Sequence, residues 1–425
     1  MTKSKRTALV LIAVLIGSVF GYGWTDLMQG RLPQLSTVPA ALGLRKPSSE
    51  NSSASFAFLQ ALGNIDEKFY GSPDRQQLTY AATDGMMQAL KDPYTMLMRP
   101  EQADRFRESS TGTFVGSGGI GAELAPDPMG PRVKHVFKNG PAAQAGIQPE
   151  DIILKVNGKS AAGDNLNKVV STIRGEPGTT VHLVVYRERT KQTKEYFLTR
   201  ALATIQDVYG SILKTSYTKG KPQIGYVELR KFTTTIASQY DGEFQTLKEL
   251  GIKGLIIDLR GNGGGIMQAA VDLSARFIEG KLITSMKNRA GFVESYVSPT
   301  GYLTTQGIPI VLLVDGETAS AAEIFAGAMK DYKLATIVGE RTFGKGRVQQ
   351  TFPLRDGSQA KITIGRYFLP LGESVDRVVD DEGKMLSGGI EPDVKASRKP
   401  GTALDDREHD EALKKAAEII YSKTR

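Results

Sequence analysis

The sequence has no cysteine and only three histidines among its 425 residues, and both shortages restrict its chemistry. Without cysteine, the chain has neither a thiol nucleophile nor a disulfide. His135, His182 and His409 all lie far along the chain from the serine discussed below. A serine nucleophile in this chain is therefore expected to use a lysine as its base. Lysines and arginines are scattered among acids despite a net charge of +8, so nucleic acid is not an expected partner.

The first 24 residues are predicted to be a targeting segment. Lys3, Lys5 and Arg6 precede an uncharged apolar run over residues 7–24, which is long for a signal peptide and just long enough for a membrane span. Because no A-x-A cleavage site follows, we favour an uncleaved anchor over a cleaved signal. The positive residues before the span place the remainder outside the cytoplasm, in the periplasm or cell envelope, with the membrane as a partner.

Composition changes along the chain predict its domain organisation. The predicted segments are the anchor or signal over residues 1–24, a flexible linker over 25–54, a helical subdomain over 55–110, a β-rich module over 111–200, an α/β core over 201–400 and a charged helix over 401–425. Proline, serine and asparagine indicate the linker, and apolar residues at helical spacing indicate the helical subdomain. In the core, buried strands over 224–229, 254–259 and 308–314 alternate with helices, so the fold class is α/β multidomain.

The β-rich module contains the stretch GPAAQAGIQPEDIILKVNG, which resembles the PDZ family. In such a module, a loop of backbone N–H groups can bind a peptide's terminal carboxylate while an edge strand accepts the peptide as an added strand. The corresponding loop here would be Gly119, Ile120, Gly121 and Ala122. The simpler alternative is a glycine-rich hairpin without a ligand.

A glycine cluster follows the buried strand at 254–259 and precedes a helix. Residues 258–265 of this cluster are DLRGNGGG. A strand-to-helix junction of this kind exposes unpaired N–H groups, where a phosphate or an oxyanion formed during acyl transfer would fit. Since tight turns need glycine anyway, this cluster indicates a functional site only together with the motifs that accompany it.

Ser320 also follows a strand, by way of the Asp315-Gly316 turn, and it opens a predicted helix. A serine at a helix start is commonly an N-cap. The turn, however, already supplies capping side chains, and the flanking alanines clear space around the hydroxyl. If Ser320 attacks a carbonyl, the Ala321 N–H points at the resulting oxyanion, and Gly264 would be the second donor.

Lys345 lies in GERTFGKG, a near match to the phosphate-binding pattern G-x-x-x-x-G-K-[ST]. Gly346 replaces the Ser or Thr that would hold Mg²⁺, and the following VQQTFPL is typical of a strand, so a nucleotide site is not expected. The glycines equally allow the lysine into a crowded, dry site. Its pKa must fall by about 3 for it to act as a base at neutral pH, and burial can supply that change. Gln349 can orient the neutral amine without charging it.

The chain resembles the carboxyl-terminal processing serine peptidases, or tail-specific proteases, from about residue 55 to 394. The resemblance rests on LKDPYTMLM, the PDZ stretch, IGYVEL, GLIIDLRGNGGG, GETASAAEIFAGAMKD, IVGERTFGKGRVQ, YFLPLGES and GGIEPDV, in that order. It implies a catalytic dyad of Ser320 as nucleophile and Lys345 as general base. It further implies that Gln349 positions the lysine and that Gly264 and Ala321 form the oxyanion hole.

The same resemblance implies a crotonase-like, ClpP-related α/β core with the PDZ domain inserted, and it calls for neither a metal nor an organic cofactor. Asp331 matches an acidic position connected with the family's proton relay, with a structural cap or salt bridge as the alternative role. Gly263 departs from the family, which often has proline there. The extra backbone freedom at Gly263 would either loosen the oxyanion hole or be tolerated.

These observations favour a membrane-anchored or exported endopeptidase that binds the free C-terminus of unfolded proteins through its PDZ domain and cleaves them. A catalytically inactive PDZ-containing scaffold is one alternative, against which intact Ser320, Lys345 and Gln349 argue. A crotonase-like CoA enzyme is another, but it explains neither the PDZ module nor the export segment. Self-association through the helical segments 56–107 and 405–423, and a need for an activating adaptor, are left open.

Overall fold

The structure is a computed structural model that describes residues 49–112, 118–137, 140–202, 205–305, 307–380, 382, 385–398 and 406–424. The predicted anchor and most of the predicted linker lie outside these residues. Among the residues described, no helix is both long enough and apolar enough to cross a membrane. The chain divides into two compact units between Thr83 and Asp84.

The helical pattern of the predicted N-terminal subdomain corresponds to three helices and one short strand. In chain order these elements are α1 (Ser49–Lys68), α2 (Arg75–Ala89), β1 (Met96–Met98) and α3 (Pro100–Thr111). The interruptions fall at Pro73 and at Asp92-Pro93, because proline disfavours the helical conformation of the residue before it. In the first unit, the Arg75 Nε donates to an Asp66 carboxylate oxygen at 2.9 Å.

The β-rich module forms one antiparallel sheet with two short helices. Its elements are β2 (Ala122–Ala125), β3 (Arg132–Val136), α4 (Pro141–Gln144), β4 (Ile152–Val156), β5 (Lys159–Ser160), α5 (Leu166–Ile173), β6 (Thr180–Arg187) and β7 (Gln192–Thr199). The sheet order is β2-β3-β4-β6-β7, which leaves β2 at one edge, and β5 pairs with β4. Val133, Ile153, Val169 and Leu183 belong to a core of this module alone.

The remaining described elements belong to the α/β core. They are β8 (Val208–Ile212), a 3-10 turn (Ser216–Thr218), β9 (Ile224–Leu229), α6 (Ile236–Glu249), β10 (Gly254–Asp258), α7 (Met267–Ser274), β11 (Leu282–Asn288), β12 (Val293–Val297), β13 (Ile310–Val314), α8 (Ala321–Asp331), β14 (Thr336–Gly339), β15 (Arg347–Pro353), β16 (Gln359–Phe368), β17 (Val378–Val379), β18 (Met385–Ser387), β19 (Val394–Lys395) and α9 (Glu411–Lys423).

A six-stranded sheet, ordered β19-β14-β13-β10-β9-β8, forms the centre of this core. Its strands are parallel except for β8, which runs antiparallel to β9. All residues of β10 and β13 are buried, as expected for parallel strands covered on both faces. Because the strands are parallel, the glycine cluster after β10 and the turn after β13 meet at the same edge of the sheet.

Helices cover both faces of this sheet. Residues of α6, α7 and α8 pack on one face in a single large cluster. On the other face lies α9, which buries Leu413, Ala416 and Ile420 against β10 and β13. The charged C-terminal helix predicted from the sequence therefore docks on its own chain, and it begins at Glu411 with Asp410 as its N-cap.

A second sheet carries the lysine side of the candidate site. Its order is β1-β16-β11-β12, and β15 pairs with β16. Lys345 lies two residues before β15 begins. On β16, Lys361 pairs with Met96 of β1 and with Thr351 of β15.

Candidate active site

Ser320 is held in a backbone conformation that non-glycine residues rarely adopt. Its φ is 58° and its ψ is −120°, at the junction between the turn after β13 and helix α8. Such strain persists only where neighbouring groups hold the backbone in place. The Ser320 N–H donates to a Glu323 carboxylate oxygen at 2.8 Å, and the Tyr367 hydroxyl donates to the Ser320 carbonyl at 3.2 Å.

Glu323 is completely buried and joins the serine segment to the lysine segment. Its carboxylate accepts four hydrogen bonds: the N–H groups of Ser320, Gly344 and Lys345 at 2.8, 2.8 and 2.9 Å, and the Thr342 hydroxyl at 2.6 Å. Burial raises the pKa of the Glu323 carboxyl, and the four donors oppose that change. Glu323 is not among the predicted site residues, although the Ser-x-x-Glu spacing is the usual sign of a helix-capping pair.

Lys345 is half-buried, and its amine lies 4.9 Å from the centre of the Tyr94 ring. Burial is the main cause that holds the pKa of this amine below its ordinary value, and the positive charge of Lys361 adds to the effect. The carboxylates of Glu323 and Asp92 act in the opposite direction. Both members of the predicted dyad lie in the described part of the chain, and no hydrogen bond joins the Lys345 amine to the Ser320 hydroxyl in this conformation.

Two residues of the motif LKDPYTMLM, Asp92 and Tyr94, contact the lysine side of the site. The Asp92 carboxylate accepts hydrogen bonds from the Thr95 hydroxyl at 2.6 Å and from Arg347 at 3.1 Å. These bonds fix the Tyr94 segment beside the start of β15 and place its ring beneath the Lys345 amine. The motif alone does not predict these roles, because Arg347 and Lys345 lie more than 250 positions further along the chain.

Gln349 and Asp331 both have partners other than the dyad. The Gln349 amide nitrogen donates to the Thr363 hydroxyl at 3.2 Å, beside an irregularity in the pairing of β15 with β16. Asp331 ends helix α8, about 16 Å from its beginning at about 1.5 Å per residue. Its carboxylate accepts the Leu371 N–H at 3.0 Å, and burial raises the pKa of this carboxyl.

Gly264 packs directly against the serine. A Cβ placed on Gly264 would lie 2.8 Å from the Ser320 Cβ and 2.8 Å from the Ala321 backbone nitrogen. The structure thus brings both predicted oxyanion-hole residues together. The Gly264 N–H donates to the Asn262 side-chain oxygen at 2.9 Å, whereas the Ala321 N–H is the first of helix α8 and has no partner within that helix.

In the predicted PDZ loop, the backbone of Gly119 is already bonded. Its N–H donates to the Ala201 carbonyl at 2.9 Å, and its carbonyl accepts the Ala201 N–H at 3.0 Å. Ile120 is buried in the core of the module, and Gly121 has a φ of 72°. Ala122 begins the edge strand β2.

An arginine of the core contacts this module. Arg230 forms an ion pair with Glu123 of β2, and its Nη2 lies 2.5 Å from the His135 Nε2 on β3. Arg230 comes two residues before Phe232, whose N–H donates to the Gly264 carbonyl at 3.0 Å. A short chain segment therefore runs from the edge strand to the glycine cluster.

Comparison with known proteins finds matches for the α/β core and for the β-rich module. The model of peptidase family S41 matches residues 223–396, and a PDZ domain model matches residues 132–187. The carboxy-terminal processing protease CtpB of Bacillus subtilis (strain 168) is 30% identical over 383 residues, which cover 90% of this chain and 75% of that protein. The protease CtpA of the same strain is 33% identical over 393 residues, covering 92% and 78%.

A solved structure supports the fold. The crystal structure of a candidate S41 protease from Bacteroides fragilis NCTC 9343 aligns over 85% of this chain and 94% of that one, with a TM-score of 0.50 at 16% identity. Fold and matched motifs together define the class as a serine-type peptidase with a mixed α/β architecture and a PDZ domain. The chain belongs to the carboxy-terminal processing proteases of peptidase family S41. The predicted family and enzyme class are confirmed, and the substrates of such a peptidase are proteins.

Proposed function

We propose that the chain is an endopeptidase in which Ser320 is the nucleophile and Lys345 the general base. The Ser320 Oγ attacks the scissile carbonyl carbon while the Lys345 amine takes the hydroxyl proton. The Ala321 N–H stabilises the oxyanion, joined by the Gly264 N–H once Asn262 releases it. Collapse returns the proton to the leaving amine, and water then hydrolyses the acyl-enzyme with Lys345 again as base.

The observation that carries this proposal is the shared carboxylate of Glu323, which binds the backbones of Ser320 and Lys345 at 2.8 and 2.9 Å. Because the backbones of Lys345 and Ser320 bind the same carboxylate, the Lys345 amine can reach the Ser320 hydroxyl. The flexible four-carbon side chain of the lysine allows the amine to move there from the Tyr94 ring. Burial favours the neutral amine that a base requires. In this account Gln349 orients that amine during the reaction, and Asp331 has the structural role, through its bond to the Leu371 N–H.

Substrate capture is assigned to the PDZ domain. Strand β2 lies at a sheet edge and can accept an extended peptide as an added strand. The loop of Gly119, Ile120, Gly121 and Ala122 precedes and begins that strand, with the N–H groups of Ile120 and Gly121 as the donors for a terminal carboxylate. The free C-terminus of an unfolded protein is the ligand that fits this arrangement.

The wider organisation extends the same proposal. The catalytic core is taken to be crotonase-like and ClpP-related, with segment boundaries at residues 24, 54, 110, 200 and 400, and the first of these segments anchors the chain in the membrane and places the enzyme outside the cytoplasm. Exposed Phe56, Leu59 and Phe69 near the N-terminal helices offer an apolar surface for a second copy or an adaptor.

The test uses the full chain in mild detergent, alongside Ser320→Ala and Lys345→Ala. Each is incubated with an unfolded protein whose apolar C-terminus is either a free carboxylate or an amide, and the fragments are identified by mass spectrometry. Cleavage of the carboxylate form should fall to background in both variants because nucleophile or base is missing. The amide should be cleaved more slowly by the native chain because PDZ capture is weakened.

Ser422→Ala and Lys414→Ala are matched controls, since both residues lie on the exposed side of α9. Both should cleave like the native chain. Binding without cleavage by the native chain would favour the inactive scaffold instead. Unchanged cleavage in Ser320→Ala would exclude the proposed nucleophile.

A further inference from the structure

Three half-buried lysines lie on segments that build the active site, and the reaction described above uses only one of them. Lys231 precedes Phe232 beside the glycine cluster, Lys345 lies before β15, and Lys361 lies on β16. Burial lowers the pKa of each amine. Among the residues that the structure describes, none of the three amines forms an ion pair with a carboxylate. Half-buried charges without a partner are costly, so such a cluster calls for a functional explanation.

The amine of Lys361 lies against an aromatic ring, which favours its charged form. Its amine lies 5.1 Å from the centre of the Phe106 ring on α3. A cation is attracted to the face of an aromatic ring, whereas a neutral amine gains little there. The flanking pairs, Met96 on β1 and Thr351 on β15, fix the backbone of Lys361 on both sides.

The strand pairing brings this charge close to the Lys345 amine. That amine lies over Tyr94, which comes two residues before Met96, the β1 partner of Lys361. The Thr363 N–H donates to the Thr95 hydroxyl at 3.1 Å, so the segment from Tyr94 to Met96 runs alongside Lys361 and Thr363. Lys361 and Thr363 lie two residues apart on β16, so their side chains share one face of the sheet.

We propose that Lys361 is a positioning residue for the proteolytic reaction: its ammonium, held over Phe106, places a second positive charge beside the Lys345 amine and thereby favours the neutral, proton-accepting form of that amine. A lysine is activated as a base or nucleophile by desolvation or by a neighbouring cation. This inference rests on the proposed role of Lys345 as general base.

The remaining charges around the pair determine the sign of the effect. Glu323 from α8 and Asp92 from the loop before β1 favour the protonated form of Lys345. The Arg347 guanidinium carbon lies 5.8 Å from the centre of the Tyr94 ring, and the charge of Lys231 acts on Lys361. The charge of Lys361 therefore opposes the two carboxylates at Lys345. Without it, the pKa of Lys345 should rise, and less neutral base should be present at neutral pH.

The experiment measures kcat/KM against pH for the full chain, for Lys361→Met and for Lys361→Arg, with a peptide that has a free C-terminus. The acid side of this profile reports the loss of the proton from the base. Because Lys361→Met removes one positive charge from a partly buried site, it should shift the midpoint upward by about 0.5 to 1.5 pH units. Below both midpoints this shift lowers kcat/KM about 3- to 30-fold, whereas the plateaus at high pH should converge. Lys361→Arg keeps the charge and should keep the native profile.

Lys414→Met on α9 is the matched control for the change in net charge and should also keep the native profile. A superimposable profile for Lys361→Met would overturn the inference, and so would an equal shift in Lys361→Arg or a lower plateau with an unchanged midpoint. A second readout does not depend on cleavage. It is the pH dependence with which an amine-reactive reagent acylates Lys345 in the Ser320→Ala chain, and Lys361→Met should shift that dependence upward as well. Active Lys345→Ala would instead refute the proposed base itself, which separates the two failures.

Discussion

At the scale of single residues, the site depends on a few groups that hold strained or buried positions. Ser320 has a positive φ, and its N–H and carbonyl are bonded to Glu323 and Tyr367. Tyr367 also donates its own N–H to the Gly346 carbonyl at 3.0 Å, next to Lys345. Glu323 and Tyr367 therefore each bind both halves of the site, and the positions of serine and lysine are coupled through them.

Gly264→Ala should strongly slow cleavage. Its φ of 92° is unfavourable for alanine, and the added methyl would lie 2.6 Å from the Ala319 carbonyl oxygen and 2.8 Å from the Ser320 Cβ. We expect kcat/KM to fall at least about 100-fold, the usual effect of losing an oxyanion donor. The measurement is cleavage of an unfolded substrate together with urea denaturation.

Gly263→Ala is the control for that variant, because a Cβ at Gly263 meets no atom within 4 Å. It should keep cleavage within a few-fold of the native rate. Equal losses of cleavage in both variants would mean that the glycine cluster tolerates no substitution. That result would contradict a specific role for Gly264.

At the scale of secondary-structure elements, hydrophobic runs in the sequence predict the core strands closely. The roles of individual side chains depend on tertiary contacts, which these runs do not predict. The strand predicted over 224–229 is observed with those bounds, since a continuous apolar run fits a strand buried on both faces. Helix α6 begins at Ile236, and both Ile236 and Ala237 are buried in its first turn. The role of Glu323 could not be predicted, because its partners Thr342 and Gly344 lie about 20 residues away on another element.

Asp207, immediately before β8, is a titratable group outside the active site. Burial raises the pKa of Asp207 from its ordinary value of 3.8 to about 6. The Thr233 hydroxyl donates to its carboxylate at 2.6 Å, and Lys231, Arg230 and Glu123 are the charged groups that face it. A carboxyl with a higher pKa in the folded chain binds its proton more tightly there. Its contribution to stability is therefore complete below about pH 4 and is lost as the pH rises to about 6.

Asp207→Asn should remove this pH dependence, because an amide does not titrate but can still accept the Thr233 bond. Relative to the native chain, the free energy of unfolding of the variant should increase between pH 4 and 6 by up to about 3 kcal/mol and stay level above that range. Urea denaturation across this range measures the difference. Asp164→Asn, at an exposed carboxyl, is the control, and a difference that does not change with pH would contradict the assignment.

At the scale of the whole molecule, the PDZ module and the core meet through Arg230. The guanidinium lies between Glu123, His135 and Glu228, with its Nε donating to the Glu228 carboxylate at 2.9 Å. Burial is the main cause that lowers the pKa of His135, and the charge of Arg230 adds to it. This single imidazole therefore reports the contact between the two parts of the chain.

Arg230→Met should raise the pKa of His135, because the neighbouring positive charge is gone while Glu123 remains. The chain has only three histidines, so NMR titration of their ring protons can resolve this one. Arg289→Met, in the exposed turn between β11 and β12, should leave the titration unchanged. An unaltered His135 titration in Arg230→Met would mean that the contact is not present in solution.

The most direct test of the account is to identify the covalent intermediate. The full chain is mixed with a peptide ester, quenched in acid during turnover and digested, and the acylated peptide is sequenced by mass spectrometry. The account predicts an acyl group on Ser320, and its loss from the Lys345→Ala chain at neutral pH. An acyl group on another residue, or continued cleavage by the Ser320→Ala chain, would contradict it.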